Sequence, residues 1–306
     1  MSRLEIVKTY KIYIGGQFPR TESGRYYSPV NKEGKVLGNI CLSSRKDVRN
    51  AVVAARKAVG SWSERSAFNR GQILYRIAEM LEGRKAQFVE ELQFQGSSKQ
   101  AAESEVNLAI DRIVYYAGWC DKYQVIVSSV NPVASSHFNF SVAEPMGVVG
   151  IIAPENSSLI GLVSLVLPVI CGGNSVVVLA SEKLPLCAVT FAEVLHSSDV
   201  PGGVINILTG STDEMAPTLS THMDVNALVY GGSAPLKLKE IQENAVLNVK
   251  RVFAYTTDWT KADAQGLHYI SDVQEIKTIW HPIENVGGAI EESVSPITAQ
   301  KASISD

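Results

Sequence analysis

The chain has 306 residues, of which 45% are hydrophobic and 19% are charged, and its formal net charge is -3. This composition is typical of a globular protein with one or two domains and a sizeable core. Lysine and arginine are spread along the chain, so we expect no nucleic-acid partner. The N-terminus lacks the apolar core of a signal peptide, and the longest apolar stretch, residues 159–170, is too short to span a bilayer. We therefore expect a cytoplasmic protein without a membrane partner.

The first part of the chain combines one short strand with a series of amphipathic helices. Apolar and polar residues alternate from Tyr10 to Ile14, which predicts a strand ending at two glycines. Apolar residues at helical spacing predict helices over residues 46–59, 67–83, 86–93 and 97–121. Alternation returns with Phe138, Phe140 and Val142, and it predicts an exposed hairpin strand.

Strand and helix signals then alternate strictly. The predicted strands are residues 147–153, 175–179, 204–209, 227–230 and 249–255, and the predicted helices are residues 157–170, 185–197, 213–220 and 233–244. The strands are apolar on both faces, as in a parallel sheet covered by helices. The sequence therefore predicts an α/β fold with a doubly wound parallel sheet.

The alternation stops after Tyr255. Residues 256–265 are polar and predict a loop, whereas residues 275–280 alternate and predict one late strand. Residues 286–306 are rich in Gly, Ser, Ala and Glu without periodicity, so we expect a disordered tail there.

The four cysteines do not predict a metal site. They are Cys41, Cys120, Cys171 and Cys187. None belongs to a Cys-x-x-Cys pair, and no histidine is spaced to complete a zinc site, so we expect no metal. The last three lie in apolar stretches, which predicts buried free thiols.

Several motifs resemble the aldehyde dehydrogenase family and follow one another in that family's order. They are Tyr-Ile-Gly-Gly at 13–16, Tyr-Tyr-Ala-Gly-Trp at 115–119, Glu-Pro-Met-Gly-Val-Val-Gly at 144–150, Cys-Gly-Gly-Asn-Ser at 171–175 and Pro-Gly-Gly-Val-Ile-Asn at 201–206. The most specific is the motif at 144–150. In kind, the chain resembles the second, truncated dehydrogenase-like region of family-16 aldehyde dehydrogenases.

The resemblance implies a division into two parts. Residues 1–124 and 145–265 correspond to a Rossmann-type, NAD-binding-like domain. Residues 125–144 and 266–285 correspond to the strands through which the family oligomerises. The family's catalytic domain follows the last Rossmann strand, and here only about twenty residues separate that strand from the late strand, too few for a domain. The resemblance therefore implies that the catalytic domain is absent.

The groups that oxidise an aldehyde in the family are largely missing. No cysteine follows Cys187 to supply the thiolate nucleophile, and the position of the general base is taken by Tyr255. Asn156 matches the asparagine that donates to the oxyanion, but a donor without a nucleophile has nothing to stabilise. Asn156 is therefore vestigial as a catalytic residue, and we favour a structural role in which it caps a helix starting near Ser157.

The resemblance also implies an eroded cofactor site. Leu179 replaces a lysine that donates to the ribose, and Glu155 replaces a tryptophan and would repel phosphates. The residues that remain, vestigial at best, are Glu182, Gly210, Gly232 and Ser233. Glu182 could equally be a solvated side chain, and the Gly-Ser pair could equally be a tight turn with Ser233 as a helix N-cap. We expect no cofactor, with weak NAD binding as the alternative.

Three functions follow from these patterns. The leading hypothesis is a non-catalytic structural or oligomerisation partner, forming a homodimer or a heteromer with a full-length aldehyde dehydrogenase. The second is an NAD(P)-dependent oxidoreductase of altered chemistry, for which the sequence offers no catalytic constellation. The third is a nucleotide-sensing module that rests on Glu182, Gly232 and Ser233.

Overall fold

The computed structural model describes residues 7–283. Its strands are β1 (Thr9–Tyr10), β2 (Tyr26–Tyr27), β3 (Asn39–Cys41), β4 (Ser129–Asn131), β5 (His137–Pro145), β6 (Val148–Ile152), β7 (Ser175–Leu179), β8 (Ile205–Leu208), β9 (Ala227–Tyr230), β10 (Arg251–Ala254) and β11 (Gln274–Pro282). Its helices are α1 (Arg45–Ser63), α2 (Ala67–Gly83), α3 (Lys85–Phe94), α4 (Lys99–Ala117), α5 (Tyr123–Val127), α6 (Ile160–Cys171), α7 (Leu186–His196), α8 (Thr212–Thr221), α9 (Pro235–Val246) and α10 (His268–Ser271). The predicted tail at 286–306 lies outside the described residues.

The central sheet is parallel, with the strand order β10-β9-β6-β7-β8. Successive residues of a strand point to opposite faces, and both faces are buried. Val148 and Ile152 of β6 pack in the core formed with α1, α8 and α9, whereas Val149 and Ile151 pack in the core formed with α4, α6 and α7. The predicted doubly wound α/β fold is confirmed.

The N-terminal strand prediction is wrong in extent. Only Thr9 and Tyr10 form β1, which belongs to a small sheet with the order β1-β3-β2. The chain then crosses to the central sheet, where Tyr13 makes an antiparallel bridge to Ile207 of β8. The residues from Tyr10 to Ile14 therefore contribute to the edges of two different sheets. The alternation of apolar and polar residues within one segment does not reveal such a change of sheet.

A second, antiparallel sheet stands beside the central one and has the order β11-β5-β4. The predicted hairpin strand and late strand are both confirmed as β5 and β11. They pair along nine residues, with Thr278 opposite Ser141 and Trp280 opposite Asn139. Within residues 7–283, the strand β11 has a neighbour on one side only, so it is an edge strand of the described sheet. The proposed division of the whole chain into domains stays a prediction.

The connection between β10 and β11 packs against the core. Its buried apolar residues join the core formed with α4 and α6, and they are Trp259, Ala264, Tyr269, Ile270 and Val273. The predicted loop at 256–265 is confirmed, since these residues form neither helix nor strand, but Trp259 and Ala264 within it are buried. These residues show no period of two or 3.6 because the segment is irregular, with α10 as its one short helix. Across residues 7–283, the structure contains no helix with the length and hydropathy needed to cross a membrane.

Candidate functional site

A crevice opens at the carboxyl ends of β6, β7 and β9. In open parallel sheets, ligands bind beyond the carboxyl ends of the strands. Two adjoining cavities of about 390 and 340 Å³ occupy this crevice. The residues that line both are Glu155, Lys183, Tyr230, Gly232 and Ala234. The sequence-predicted residues Asn156, Glu182 and Ser233 each line one of the two.

The carboxylate of Glu155 occupies the loop that follows β7. It accepts hydrogen bonds from the Ser181 hydroxyl at 2.9 Å and from the backbone N–H groups of Glu182 at 3.2 Å and Lys183 at 3.1 Å. Backbone N–H groups in such a loop are the donors that hold phosphate in nucleotide sites. Here they are satisfied by a side chain of the same molecule, so a bound anion would have to displace a carboxylate.

A second carboxylate lies at the start of α8. Glu182 accepts a hydrogen bond from the backbone N–H of Thr212, the first residue of that helix, at 3.3 Å. A negative charge is stabilised at a helix N-terminus by the unpaired N–H groups and the helix dipole. Glu182 therefore has a local structural role, in contrast to the simple solvation considered from the sequence.

Gly210 is required by a close backbone approach. Its φ is +131°, and a Cβ at this position would lie 2.8 Å from the backbone nitrogen of Ser43. The Ser43 N–H donates to the carbonyl of Thr209 at 2.9 Å, which holds the two segments together. Packing against the segment before α1 therefore explains why residue 210 is a glycine, and no ligand is needed to explain it.

The side chain of Tyr230 fills the turn before α9. Its hydroxyl accepts a hydrogen bond from the N–H of Ala234 at 3.1 Å, and a Cβ on Gly232 would lie only 2.5 Å from that oxygen. The N-cap of α9 is Ala234, which makes no side-chain cap. The prediction that Ser233 caps this helix is wrong. The helix N-terminus that would face a pyrophosphate is already approached by a phenol of the same chain.

The N-terminus of α6 is capped by residues other than Asn156. The helix begins at Ile160, three residues after the predicted start. The carboxylate of Glu105 on α4 accepts from the N–H groups of Leu159 at 3.1 Å and Ile160 at 3.0 Å, and Ser157 accepts from Gly161 at 2.8 Å. The prediction that Asn156 caps this helix is wrong, and its side chain lines the crevice. Glu105 is distant in sequence, so no local signal identified it.

Tyr255 is held in the packed connection after β10. Its hydroxyl donates to the carboxylate of Asp272 at 2.7 Å, and its ring lies 4.6 Å from that of Tyr269. Burial, reinforced by the hydrogen bond and charge of Asp272, raises the pKa of Tyr255 well above its ordinary value. The phenol is therefore protonated near neutral pH and cannot accept a proton from a nucleophile.

All four cysteines are buried, as the sequence predicts for Cys120, Cys171 and Cys187. Burial raises the pKa of Cys171 and of Cys187 above that of a free thiol. The Sγ atoms of Cys120 and Cys171 lie 3.5 Å apart, at the C-terminal end of α6. A nucleophilic thiolate needs an electropositive and accessible setting. None of the four lines the two cavities of the crevice.

The sequence and the fold both resemble those of known proteins. A family model described as "Aldehyde dehydrogenase family" matches residues 19–256. The chain belongs to the aldehyde dehydrogenase family. Mouse cytosolic 10-formyltetrahydrofolate dehydrogenase is 33% identical over 258 residues, which cover 82% of this chain and 29% of that protein. The putative aldehyde dehydrogenase DhaS of Bacillus subtilis is 32% identical over 249 residues, covering 80% of this chain and 50% of that one.

Solved structures agree in fold and in extent. An aldehyde dehydrogenase from Bacillus cereus in complex with NAD+ superposes with a TM-score of 0.77 at 25% identity, covering 81% of this chain and 50% of that chain. A putative aldehyde dehydrogenase from Burkholderia cenocepacia gives a TM-score of 0.77 at 29% identity over 80% and 50%. The chain thus spans about half the length of these structures. Residues 7–283 contain no counterpart of their catalytic part.

Proposed function

We propose that this chain acts as a non-catalytic oligomerisation partner of a full-length aldehyde dehydrogenase. The observation that carries the proposal is the antiparallel sheet of β4, β5 and β11, which is intact although the segment between β10 and β11 is too short to hold a catalytic domain. In the family, strands of this kind reach the catalytic-domain sheet of a partner subunit. A strand added to a sheet edge gains affinity from main-chain hydrogen bonds.

The crevice supports the non-catalytic part of the proposal. NAD carries a pyrophosphate, and the donors that would hold it are engaged by Glu155, Glu182 and Tyr230. The position of the ribose lysine is Leu179, whose side chain is fully buried in the core with α1. The residues present do not fit a dinucleotide, and we derive no reaction step through one. Aldehyde turnover would in addition need a thiolate and a base, and Tyr255 and the buried cysteines supply neither.

Binding to a full-length relative tests the proposal. The chain is immobilised, and the full-length aldehyde dehydrogenase of the same genome is titrated over it. We expect saturable binding that Ile279→Asp weakens about tenfold or more, because Ile279 lies opposite Phe140 of β5 and the change would bring an unpaired charge into the interface. Val53→Asp, a matched change at an exposed position of α1, should leave the affinity unchanged. Absence of saturable binding, or equal binding by all three proteins, would contradict the proposal.

Direct titration with NAD separates the alternatives. Micromolar binding would favour the nucleotide-sensing module, and NAD reduction in the presence of an aldehyde would favour an oxidoreductase. The single observation in their favour is the crevice itself, which contains a cavity of about 390 Å³ lined in part by Lys183.

A further inference from the structure

The outer edge of β11 offers unpaired backbone groups along a short, defined stretch. The N–H of Ile283 donates to the carbonyl of Ser136 on the β5 side. Alternate residues of an antiparallel strand face the same neighbour, so the backbone groups of Ile276, Thr278 and Trp280 face away from β5. Among residues 7–283 nothing bonds to them. Because Ile276 and Trp280 are 58% and 57% exposed, the edge is open to a partner.

At each end of this stretch, one backbone group is unavailable to a partner strand. At the start, the carbonyl of Gln274 already accepts a hydrogen bond from Arg251 at 3.1 Å. At the end of the stretch, Pro282 has no N–H to donate. Gln274 and Pro282 are each four residues from Thr278. The open edge is therefore symmetric about Thr278.

We infer that two copies of this chain pair antiparallel through their β11 edges, with the two-fold axis at Thr278. In this register Ile276 lies opposite Trp280 of the second copy, and Thr278 lies opposite its own counterpart. Each such pair exchanges two main-chain hydrogen bonds. Gln274 then lies opposite Pro282, so the carbonyl used by Arg251 meets the residue that has no N–H. The two three-stranded sheets become one six-stranded sheet.

The side chains agree with the same register. Ile276 and Trp280 lie on one face of β11, and each meets the other across the axis as an aromatic–β-branched pair, which stabilises antiparallel sheets. Glu275 falls opposite His281, a pair of opposite or neutral charge. Lys277 falls opposite Ile279, with its ammonium directed to Glu144 of its own chain at 3.2 Å. No like charges face each other across the axis.

An unpaired sheet edge with exposed apolar side chains promotes uncontrolled association, and β11 exposes Ile276 and Trp280. A two-fold pairing closes the edge, since the same patch serves both copies and no further copy can add. This inference goes beyond the proposed function because it concerns the chain alone, and a full-length relative that pairs with the same edge of β11 would compete with the second copy.

Cysteine crosslinking tests the register. Cα atoms in a hydrogen-bonded antiparallel pair lie about 5.5 Å apart, within the range of a disulfide. Thr278→Cys should therefore form an intermolecular disulfide rapidly under mild oxidation. Ile276→Cys should not, because its own counterpart lies more than about 13 Å away. The native cysteines are all buried, which keeps the background low. Equal crosslinking of both variants, or none of Thr278→Cys, would overturn the inference.

Sizing tests the pairing without a disulfide. Thr278→Pro removes an N–H that points outward, and proline is tolerated on edge strands at such positions. We expect its dimer dissociation constant to rise about tenfold or more, with the far-ultraviolet spectrum unchanged. Trp280→Lys, a charge on the open edge, should act in the same direction. A wild-type chain that stays monomeric at high concentration would overturn the inference, whereas the proposed function would still be decided by the titration with the full-length relative.

Discussion

The guanidinium of Arg112 donates to the carbonyl oxygen of Trp259 at 3.0 Å, and this contact joins α4 to the connection between β10 and β11. Arg112 is fully buried and also donates to the Ser164 hydroxyl at 2.6 Å and the Lys261 carbonyl at 2.9 Å. The short connection thereby covers the core beside α6.

Replacing Arg112 should destabilise the protein. Arg112→Ala leaves the two carbonyls and the Ser164 hydroxyl without their charged donor, and hydrogen bonds to charged groups contribute about 1.5–3 kcal/mol each. We expect the free energy of unfolding to fall by about 3 kcal/mol or more, measured by urea denaturation. Arg76→Ala removes an exposed pair with Glu79 and should change stability by less than about 0.5 kcal/mol. Equal effects of the two changes would show that Arg112 does not hold the connection.

The order of the elements could be predicted from the sequence because the strands are buried on both faces and the helices have apolar stripes. The strands β7 and β9 have the predicted bounds. Two parts of the fold could not be predicted. The connection after β10 is stabilised by Arg112, which lies 147 residues from Trp259, and the chain passes to a second sheet directly after the short β1.

The candidate site shows the same division. The sequence indicated which positions differ from the family, but the contacts of the substituted side chains are long-range. Glu155 reaches a loop 26 to 28 residues away, and Glu182 reaches α8 at a distance of 30 residues. The sequence predicts that the carboxylate of Glu155 repels phosphate. The structure shows in addition that this carboxylate accepts hydrogen bonds from the N–H groups that phosphate would use.

Cofactor binding should respond to the two groups that occupy the crevice. Calorimetric titration of the wild-type chain with NAD should show no micromolar binding. The double change Glu155→Ala with Tyr230→Phe frees the N–H groups of Lys183 and Ala234, so we expect any residual affinity to increase. Leu179→Lys should instead destabilise the fold, because it buries an ammonium in an apolar core. Micromolar binding by the wild-type chain would contradict this account of the crevice.

Thiol reactivity should be low in the folded state. All four cysteines are buried, and the pKa values of Cys171 and Cys187 are raised by burial. A chromogenic disulfide reagent should titrate less than one thiol rapidly in the native protein and all four after denaturation. A fast-reacting native thiol, or aldehyde-dependent NAD reduction that is lost with one cysteine, would be the opposite result.

The stability of the protein should rise with pH above about 8. Burial lowers the pKa of Lys250 to about 8, from an ordinary value of 10.5. Between these values the unfolded chain binds the proton that the folded chain has lost, so folding becomes more favourable as the pH rises. Below pH 8 both states are protonated and the destabilisation is fully present.

Substitution of Lys250 isolates this effect. Lys250→Met should raise the free energy of unfolding by about 1 kcal/mol or more at pH 7, and the gain should shrink toward pH 10.5. Lys239→Met, at an exposed lysine, should show no such pH dependence. Urea denaturation at pH 7 and pH 10 provides the comparison. A gain that is the same at both pH values would mean that the charge of Lys250 is not its cause.

The central claim is that this chain assembles with a full-length aldehyde dehydrogenase. Light scattering after size-exclusion chromatography of an equimolar mixture measures the mass of each species directly. We predict one species that contains both chains and whose mass exceeds that of either protein alone. Two separate peaks at the masses of the isolated proteins would contradict the account.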